Sequence, residues 1–430
     1  MTTVSVAETA ESRELHGFWT RSRKVGVVLI VLGLATVLGA FATVGSGTTA
    51  EMMLDKTADT FGWDATWAVP ARLAIVLLAV VATGAGIFLA TGAPRYFTTA
   101  TVIGFAAFVL ALLVWAVSSA KGDDPLKIEF VLAGALFAAL PLIFGALAGV
   151  LCERSGVINV GIEGQLLAGA FCGALFATMT GNVWVGLVTA AVAGSLVTTL
   201  LGALAVRFQV DQVVLGVILN LLVLGVTGYL FDQVMKEDAS TFNDPPDAPE
   251  WAVPLLSKIP VIGPMLFDQS IFGYVAIILV FAIWFLLFMT PWGLRTRAVG
   301  EHPQAADTLG VKVNLLRFRN VAMAGLVAGF GGAVFTIGDG LGFAKNMTVG
   351  KGFIALAVLI VGRWHPLGAL LGALLFGFAD QIGQFLRVIG SPVPSSFLSM
   401  LPYLVTIVAV AGLIGKVRAP AADGKPYIRS

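Results

Sequence analysis

Charge is what this sequence has least of. Only 12% of its 430 residues are Asp, Glu, Lys or Arg, and 58% are hydrophobic, whereas soluble domains carry about 25% charged residues. Water is therefore not the main solvent of this chain, and a soluble globular class is excluded. Histidine occurs three times, at His16, His302 and His365, far apart and beside no cysteine or aspartate ligand. Neither a zinc site nor a Ser-His-Asp arrangement is expected. The two cysteines, Cys152 and Cys172, lie in or beside apolar segments, at a spacing that fits neither a metal site nor a disulfide framework. No glycine-rich loop ends in Gly-Lys-Ser/Thr, so no phosphate cradle for ATP is expected within this chain. A net charge of +1 leaves no basic footprint for nucleic acid. Enzyme chemistry and a resident cofactor are both unexpected.

Long apolar runs are what the chain has in quantity. A helix needs about 20 consecutive apolar residues to cross a bilayer, and runs of that kind occur at 25–44, 74–90, 101–117 and 271–289, among others. The first begins only after Lys24. It is too long for a signal-peptide core and lacks a small-residue exit, so a retained span is expected. Glycine, at 50 residues, suits helices packed in a membrane, where small residues let backbones approach. Full spans are expected near 25–44, 70–91, 98–118, 130–151, 164–180, 183–206, 212–233, 271–292, 320–340 and 398–415. Residues 353–362 are apolar but short for a span, and Arg363-Trp364-His365-Pro366 separates them from another apolar run ending near Phe378. The fold class is thus all-α: a polytopic membrane protein of about ten transmembrane helices, with short re-entrant segments near 350–395. Gly325-x-x-x-Gly329 and Gly368-x-x-x-Gly372 are close-packing signals. Trp63, Trp67, Trp184, Trp251, Trp284, Trp292 and Trp364 fall mostly near span ends and read as interfacial anchors.

Charge sets an expected orientation. With the N-terminus inside, alternation places Arg13, Arg21, Arg23, Lys24, Arg95, Arg154, Arg207, Arg295, Arg297, Lys312, Arg317, Arg319, Arg363, Lys416, Arg418, Lys425 and Arg429 on the inner side, most of the 26 Lys and Arg residues. That is the positive-inside bias, and it makes both termini cytoplasmic in the cell inner (plasma) membrane. The loop 234–270, rich in proline and acids, reads as an ordered or semi-rigid outer surface loop.

Polar residues within or beside spans are few: Asn159, Glu163, Gln165, Gln212, Asn220, Asp380 and Gln384. An ionisable group at membrane depth faces a cavity, pairs or works. Asn159 and Glu163 are four apart and would share one helix face, as would Asp380 and Gln384. If the glycine-rich stretch 156–164 is a broken helix, its freed backbone groups must line a cavity or be buried in protein. The alternative is that Glu153, Arg154 and Glu163 only lock the bend by local pairing. Polar side chains in spans also serve as interhelical glue, each worth about 0.6–2 kcal/mol. Both readings stay open: a translocation path for a small-molecule solute, or packing.

The stretch 295–319 is polar, basic and flanked by spans. His302 suits a cap, Pro303 the first helical position and Gly310 the stop, which predicts a short helix over 303–309. It serves either as a docking peg for a partner or as an amphipathic connector.

From Ala298 to Ala306, followed by Gly310-Val311, the sequence resembles the coupling loop of ABC importer permeases of the ribose/nucleoside branch, which is akin to the branched-chain amino acid permeases. His302 departs from the asparagine more usual there. Residues 153–165, ERSGVINVGIEGQ, closely resemble an element of the same branch. So do Asp211-Gln212-Val213-Val214 through Asn220-Leu221, the stretch 350–357, and Gly362-Arg363-Trp364-His365-Pro366-Leu367-Gly368. The tail from Arg418-Ala419-Pro420 through Gly424-Lys425-Pro426-Tyr427 looks like that of nucleoside-type permeases. The resemblance covers about 130–430 and weakens over 1–125.

It implies a cytoplasmic tail at 1–24, N-terminal spans at 25–125, a permease core at 126–415 with a coupling loop at 293–319, and a cytoplasmic tail at 416–430. It further implies that Arg297, Gly300, Glu301, Pro303, Ala305, Ala306 and Gly310 meet a separate ATP-binding subunit. Other implied partners are a second homologous permease or a copy of this chain, an extracytoplasmic substrate-binding protein, and membrane lipid. The implied solute is a nucleoside, with ribose-like sugars the alternative. An ion-coupled secondary transporter would place coupled carboxylates near the midplane, often in inverted repeats. Only Glu163 and Asp380 qualify here, and no repeat is evident.

Overall fold

The computed structural model describes residues 20–53, 66–92, 96–118, 126–259, 262–388, 390, 394–408 and 418–428. Arg13, His16, Trp63, Arg95, Lys416, Arg429, most of the expected tail 1–24 and the end of the expected span 398–415 lie outside the described residues.

Contacts divide the chain into two units, residues 1–131 with 382–415, and residues 132–381 with 416–430. In the first, α1 (Arg21–Thr43), α2 (Ala71–Ala90) and α3 (Phe97–Ser118) accompany a small sheet. There β1 (Thr49–Met53) pairs antiparallel with β2 (Thr66–Pro70) and parallel with β3 (Leu126–Lys127). Gly26 and Gly86 let α1 and α2 touch: a Cβ on Gly26 would lie 2.5 Å from Gly86 O. Ser22 Oγ donates to Leu89 O at 2.7 Å, a second bond to a carbonyl that already accepts from Gly92 N at 3.1 Å.

α4 (Ile128–Glu153) leads into the second unit, followed by α5 (Ile162–Thr180), α6 (Val183–Gly202) with a π turn to Arg207, and α7 (Gln212–Leu230) with a π turn to Met235. Next come α8 (Ala239–Phe242), β4 (Glu250–Ala252) paired antiparallel with β5 (Asp268–Ser270), and α9 (Ile271–Met289). Then follow α10 (Pro291–Glu301), α11 (Pro303–Thr308), α12 (Val313–Gly332), α13 (Lys351–Val361) and α14 (Pro366–Val388), whose last turns and α15 (Ser395–Val408) belong to the first unit. Side chains set the starts. Asn182 accepts from Trp184 N at 2.9 Å, and Asp211 from Val214 N at 2.9 Å, the usual means of satisfying first-turn donors.

α5 is buried along most of its length. Beside it α6 and α12 cross at backbone contact, where a Cβ on Gly325 would lie 1.7 Å from Thr198 Oγ1 and one on Gly194 2.5 Å from Gly325 O. The Gly325-x-x-x-Gly329 signal is thus a packing device, as small residues in membrane helices generally are. Large apolar side chains such as Leu38, Val80, Val188, Leu196 and Leu221 point outward, which suits lipid and not water.

Nine helices among the described residues are long and apolar enough to span a membrane, with Thr99–Trp115 and Lys351–Val361 as shorter apolar helices. The expected ten full spans are corrected in two places. Residues 366–388 form one full-length helix where the sequence reads a short piece, because Asp380, Gln384 and Arg387 interrupt the apolar run. Residues Phe97–Ser118 form one helix of 22 residues, at the place where the sequence expects a span. The span expected at 320–340 begins at Val313, because its first turns carry Asn314, Arg317 and Asn320.

Candidate functional site

Three breaks between helices form the polar centre of the second unit. The first follows α4. Ser155 Oγ donates to Cys152 O at 2.7 Å, and Gly156 has φ +86°. A Cβ there would also lie 2.6 Å from Arg317 Nη2, so backbone and space both demand glycine. The chain stays non-helical until Ile162, and amides hold it. Gln212 Oε1 accepts from Ile158 N at 2.7 Å. Asn220 Oδ1 accepts from Gly164 N at 2.8 Å, while its Nδ2 donates to Val160 O at 2.9 Å. Asn159 and Gln165 bond reciprocally at 2.7 and 3.1 Å. All four amides are buried and replace the helical bonds that the break forfeits. Asn159 precedes the first residue of α5, so the expected helix face shared with Glu163 does not exist. Its partner is Gln165, across the helix start.

Glu163 reaches the second break. Its Oε1 accepts from Thr348 Oγ1 at 2.6 Å and Gly350 N at 2.8 Å, and its Oε2 from Gly352 N at 2.6 Å. A buried carboxylate thus caps the start of α13, where exposed N–H groups and the helix dipole favour an anion. The fit is tight, because a Cβ on Gly352 would lie 2.4 Å from Glu163 N. Lys351, in the same turn, pairs with Asp380 of α14 at 2.6 Å. Glu163 and Asp380 are therefore linked through one turn, 348–352. Gln384 is exposed and belongs to the other unit.

At the third break Arg363 and Trp364 adopt φ +57° and +52°, a left-handed conformation that costs non-glycine residues about 1–2 kcal/mol each. Contacts hold it there. Trp364 Nε1 donates to the Glu153 carboxylate, and Arg154 Nε donates to Trp364 O at 2.8 Å. Trp364 is buried, which corrects its reading as an interfacial anchor: proximity to a span end does not separate an indole facing lipid from one facing a carboxylate. Burial and the Arg154 guanidinium hold His365 below its usual pKa, and its ring lies 4.9 Å from Phe288.

The stretch expected to be one short helix in a loop is two helices, α10 and α11, followed directly by α12. His302 stands at the start of α11 without a side-chain cap bond. Gly310, at φ +83°, ends the pair. Gly300 lies against the first break, with a Cβ there 2.3 Å from Arg154 O. Arg297 stacks over Phe288 at 5.0 Å. Ala306 is buried with Val299, Val313 and Tyr427, whereas Glu301, Ala305 and Gly310 are exposed and Pro303 half-buried. Leu309 is 84% exposed, an apolar tip beside Ala305 that the sequence reading missed; a leucine just before a stop glycine is the signal it left.

Two further residues were hidden. Arg317, read only as one inner cation, is 2% exposed and donates to Ser155 O at 3.0 Å and Lys425 O at 2.8 Å. Asp423 lies in the tail, where burial pushes its carboxyl up to about 7, against the lowering effects of Glu153, the Gly424 N–H and Arg317. Among the described residues no His, Cys, Asp or Glu cluster could hold a metal ion.

A family model described as branched-chain amino acid transport system / permease component matches residues 131–410. A guanosine ABC transporter permease protein, NupQ of Bacillus subtilis, is 42% identical over 315 residues, covering 70% of this chain and 97% of the relative. A nucleoside ABC transporter permease protein, NupC of Lactococcus lactis, is 39% identical, covering 70% and 98%. A putative glucose ABC transporter permease protein of Haloferax volcanii is 33% identical over 249 residues, covering 57% and 74%. No solved structure matches the chain.

Proposed function

Since this multi-pass membrane chain belongs to the family of branched-chain amino acid transport system permease components, we propose that it is the membrane-spanning subunit of an ATP-driven importer that carries nucleosides across the cell inner membrane. One observation carries the solute: the two relatives that it matches at 42% and 39% identity, almost end to end, are a guanosine and a nucleoside permease. ATP is bound and hydrolysed by a separate cytoplasmic subunit, which seats on Glu301, Pro303, Ala305, Gly310 and the exposed Leu309, with Arg297, Gly300 and Ala306 shaping that seat from behind. A second permease, homologous or identical, completes the path, and an extracytoplasmic binding protein delivers the solute. Both termini face the cytoplasm.

The geometry supports a route for the motion. Movement of α10 and α11 meets the first break through the Gly300–Arg154 contact. From there it reaches α5, whose Glu163 holds the start of α13. Asn159, Gln165, Gln212 and Asn220 keep the broken segment in one shape, and Asp380 of α14 joins the same route through Lys351. Packed helices with two discrete arrangements transmit such shifts as rigid bodies.

The 33% relative named for glucose favours a second reading, a sugar solute. Uptake of labelled uridine and adenosine by cells with and without the gene separates the two, with excess ribose or glucose as competitor and ATP depleted in parallel. ATP-dependent nucleoside uptake that disappears on deletion and ignores sugar is the expected result. Competition by sugar, or nucleoside uptake that survives deletion, moves the assignment to sugars; uptake that follows an ion gradient instead of ATP overturns the importer.

A further inference from the structure

The tail resembling that of nucleoside-type permeases is not used by the route just described, yet residues 418–428 are bound at many points. Ala422 N donates to Gly300 O at 2.8 Å and Ala421 N to Glu301 Oε2 at 3.2 Å. The first of these meets a carbonyl that the end of α10 leaves without a helical partner. Gly424, at φ +72°, turns the tail onto Ile158, where a Cβ would lie 2.6 Å from Ile158 Cδ1. Tyr427 inserts among Val299 of α10, Ala306 of α11 and Val313 of α12.

Arg317 joins these contacts to the first break. Its Nε holds Ser155 O and its Nη1 holds Lys425 O, one planar group bridging the turn and the tail. Its Nη2 lies close to Gly156 and, like Asp423 Oδ1, is buried without a hydrogen-bond partner. A guanidinium is costly to bury, and it stabilises little at this depth unless it fixes two backbones at once. Lysine carries its donors on one nitrogen at the end of a flexible stem and does not reproduce the planar fork that meets the two carbonyls from separate nitrogens.

We propose that residues 418–428 are a strap that binds α10 and α11 to the 153–156 turn so that they move as one body, with Arg317 and Tyr427 as its positioning residues. The proposal rests on the importer reading above, in which α10 and α11 receive the motion driven by ATP. The strap transmits that motion and touches no solute. Loss of the strap therefore leaves assembly and ATP hydrolysis in place and separates hydrolysis from uptake.

The test uses the assembled importer in proteoliposomes, comparing wild type, Arg317→Lys and a chain ending at Ala419. Uptake and ATP hydrolysis are measured together, with recovery of the ATP-binding subunit on purification. Arg317→Lys is expected to lower uptake per ATP about tenfold, the effect of losing one charge-assisted hydrogen bond, at unchanged recovery; the truncated chain is expected to lower it further. Hydrogen exchange of residues 418–428 in the wild type, with and without ATP, is the second measurement, and equal protection in both states is expected. Unchanged coupling in Arg317→Lys, or falls in uptake and assembly in equal measure, would overturn the strap. So would a tail that loses protection in one nucleotide state, since it then acts as a gate. Absence of ATP-dependent uptake by the wild-type assembly sinks the importer reading itself.

Discussion

Glu163 shows what one buried carboxylate does in this chain. It accepts three hydrogen bonds from the turn that starts α13, so its charge is met by donors that fix the next helix. Glu163→Gln keeps the size but turns one acceptor into a donor facing backbone N–H. Bonds to a charged acceptor are worth about 1.5–3 kcal/mol, and the variant is expected to lose about 2 kcal/mol of stability, read as a lower midpoint in a thermal scan of the detergent-solubilised protein. A midpoint within error of wild type would show that the turn holds without the charge. The alanines of α11 give a second contrast. Ala305→Trp, at an exposed position, is expected to accumulate normally in the membrane and abolish uptake, as is Glu301→Lys. Ala306→Trp, at a buried one, is expected to prevent accumulation. Normal uptake by Ala305→Trp would remove α11 from the docking surface.

At the scale of elements, small residues decide which helices touch. Gly325→Leu at the crossing of α6 and α12 has nowhere to place a side chain, since Thr198 and the Gly194 carbonyl already fill the space. Overpacking of this kind costs upward of about 1–3 kcal/mol, and folded protein recovered by size exclusion is expected to fall severely. Gly228→Ala, on α7 with nothing within 4 Å, is the matched control and is expected to be neutral.

The tail carries a pH dependence. Burial raises the Asp423 carboxyl from its ordinary value to about 7, with Glu153, Cys152 and Arg317 as its ionisable neighbours. A raised folded value means that the seated tail binds the proton more tightly than the released tail. The Asp423 contribution to seating is therefore strongest in acid, weakens as pH rises from about 4 to about 7, and is flat above that. Maleimide labelling of a cysteine placed at Ala422 should rise over that window, relative to the same probe in Asp423→Asn. Identical profiles in the two backgrounds would remove Asp423 as the cause.

For the whole molecule, the class was legible in the sequence because bilayer thickness is a length that apolar runs must match. The runs at 25–44, 183–206, 212–233 and 271–292 each coincide with a helix. Legibility failed where polar residues lie inside a span. Arg317 and Asn320 hid the start of α12, and Asp380, Gln384 and Arg387 hid the length of α14. Hydropathy averages along the chain, while such residues satisfy themselves across it.

The sequence by itself determined a membrane-spanning helical chain, glycine-rich chain at 156–161 where a helix gives way, the stop at Gly310 and close packing at Gly325 and Gly329. Each follows from local chemistry: apolar length, a glycine at positive φ, or the absence of a side chain. Only the tertiary structure decided partners: Glu163 on the 348–352 turn, Gln212 and Asn220 on the broken segment, Trp364 on Glu153, and Arg317 between Ser155 and Lys425. These contacts join residues 54 to 211 positions apart. A polar side chain announces that it needs a partner, but its own sequence neighbourhood does not say which segment packing will bring to it.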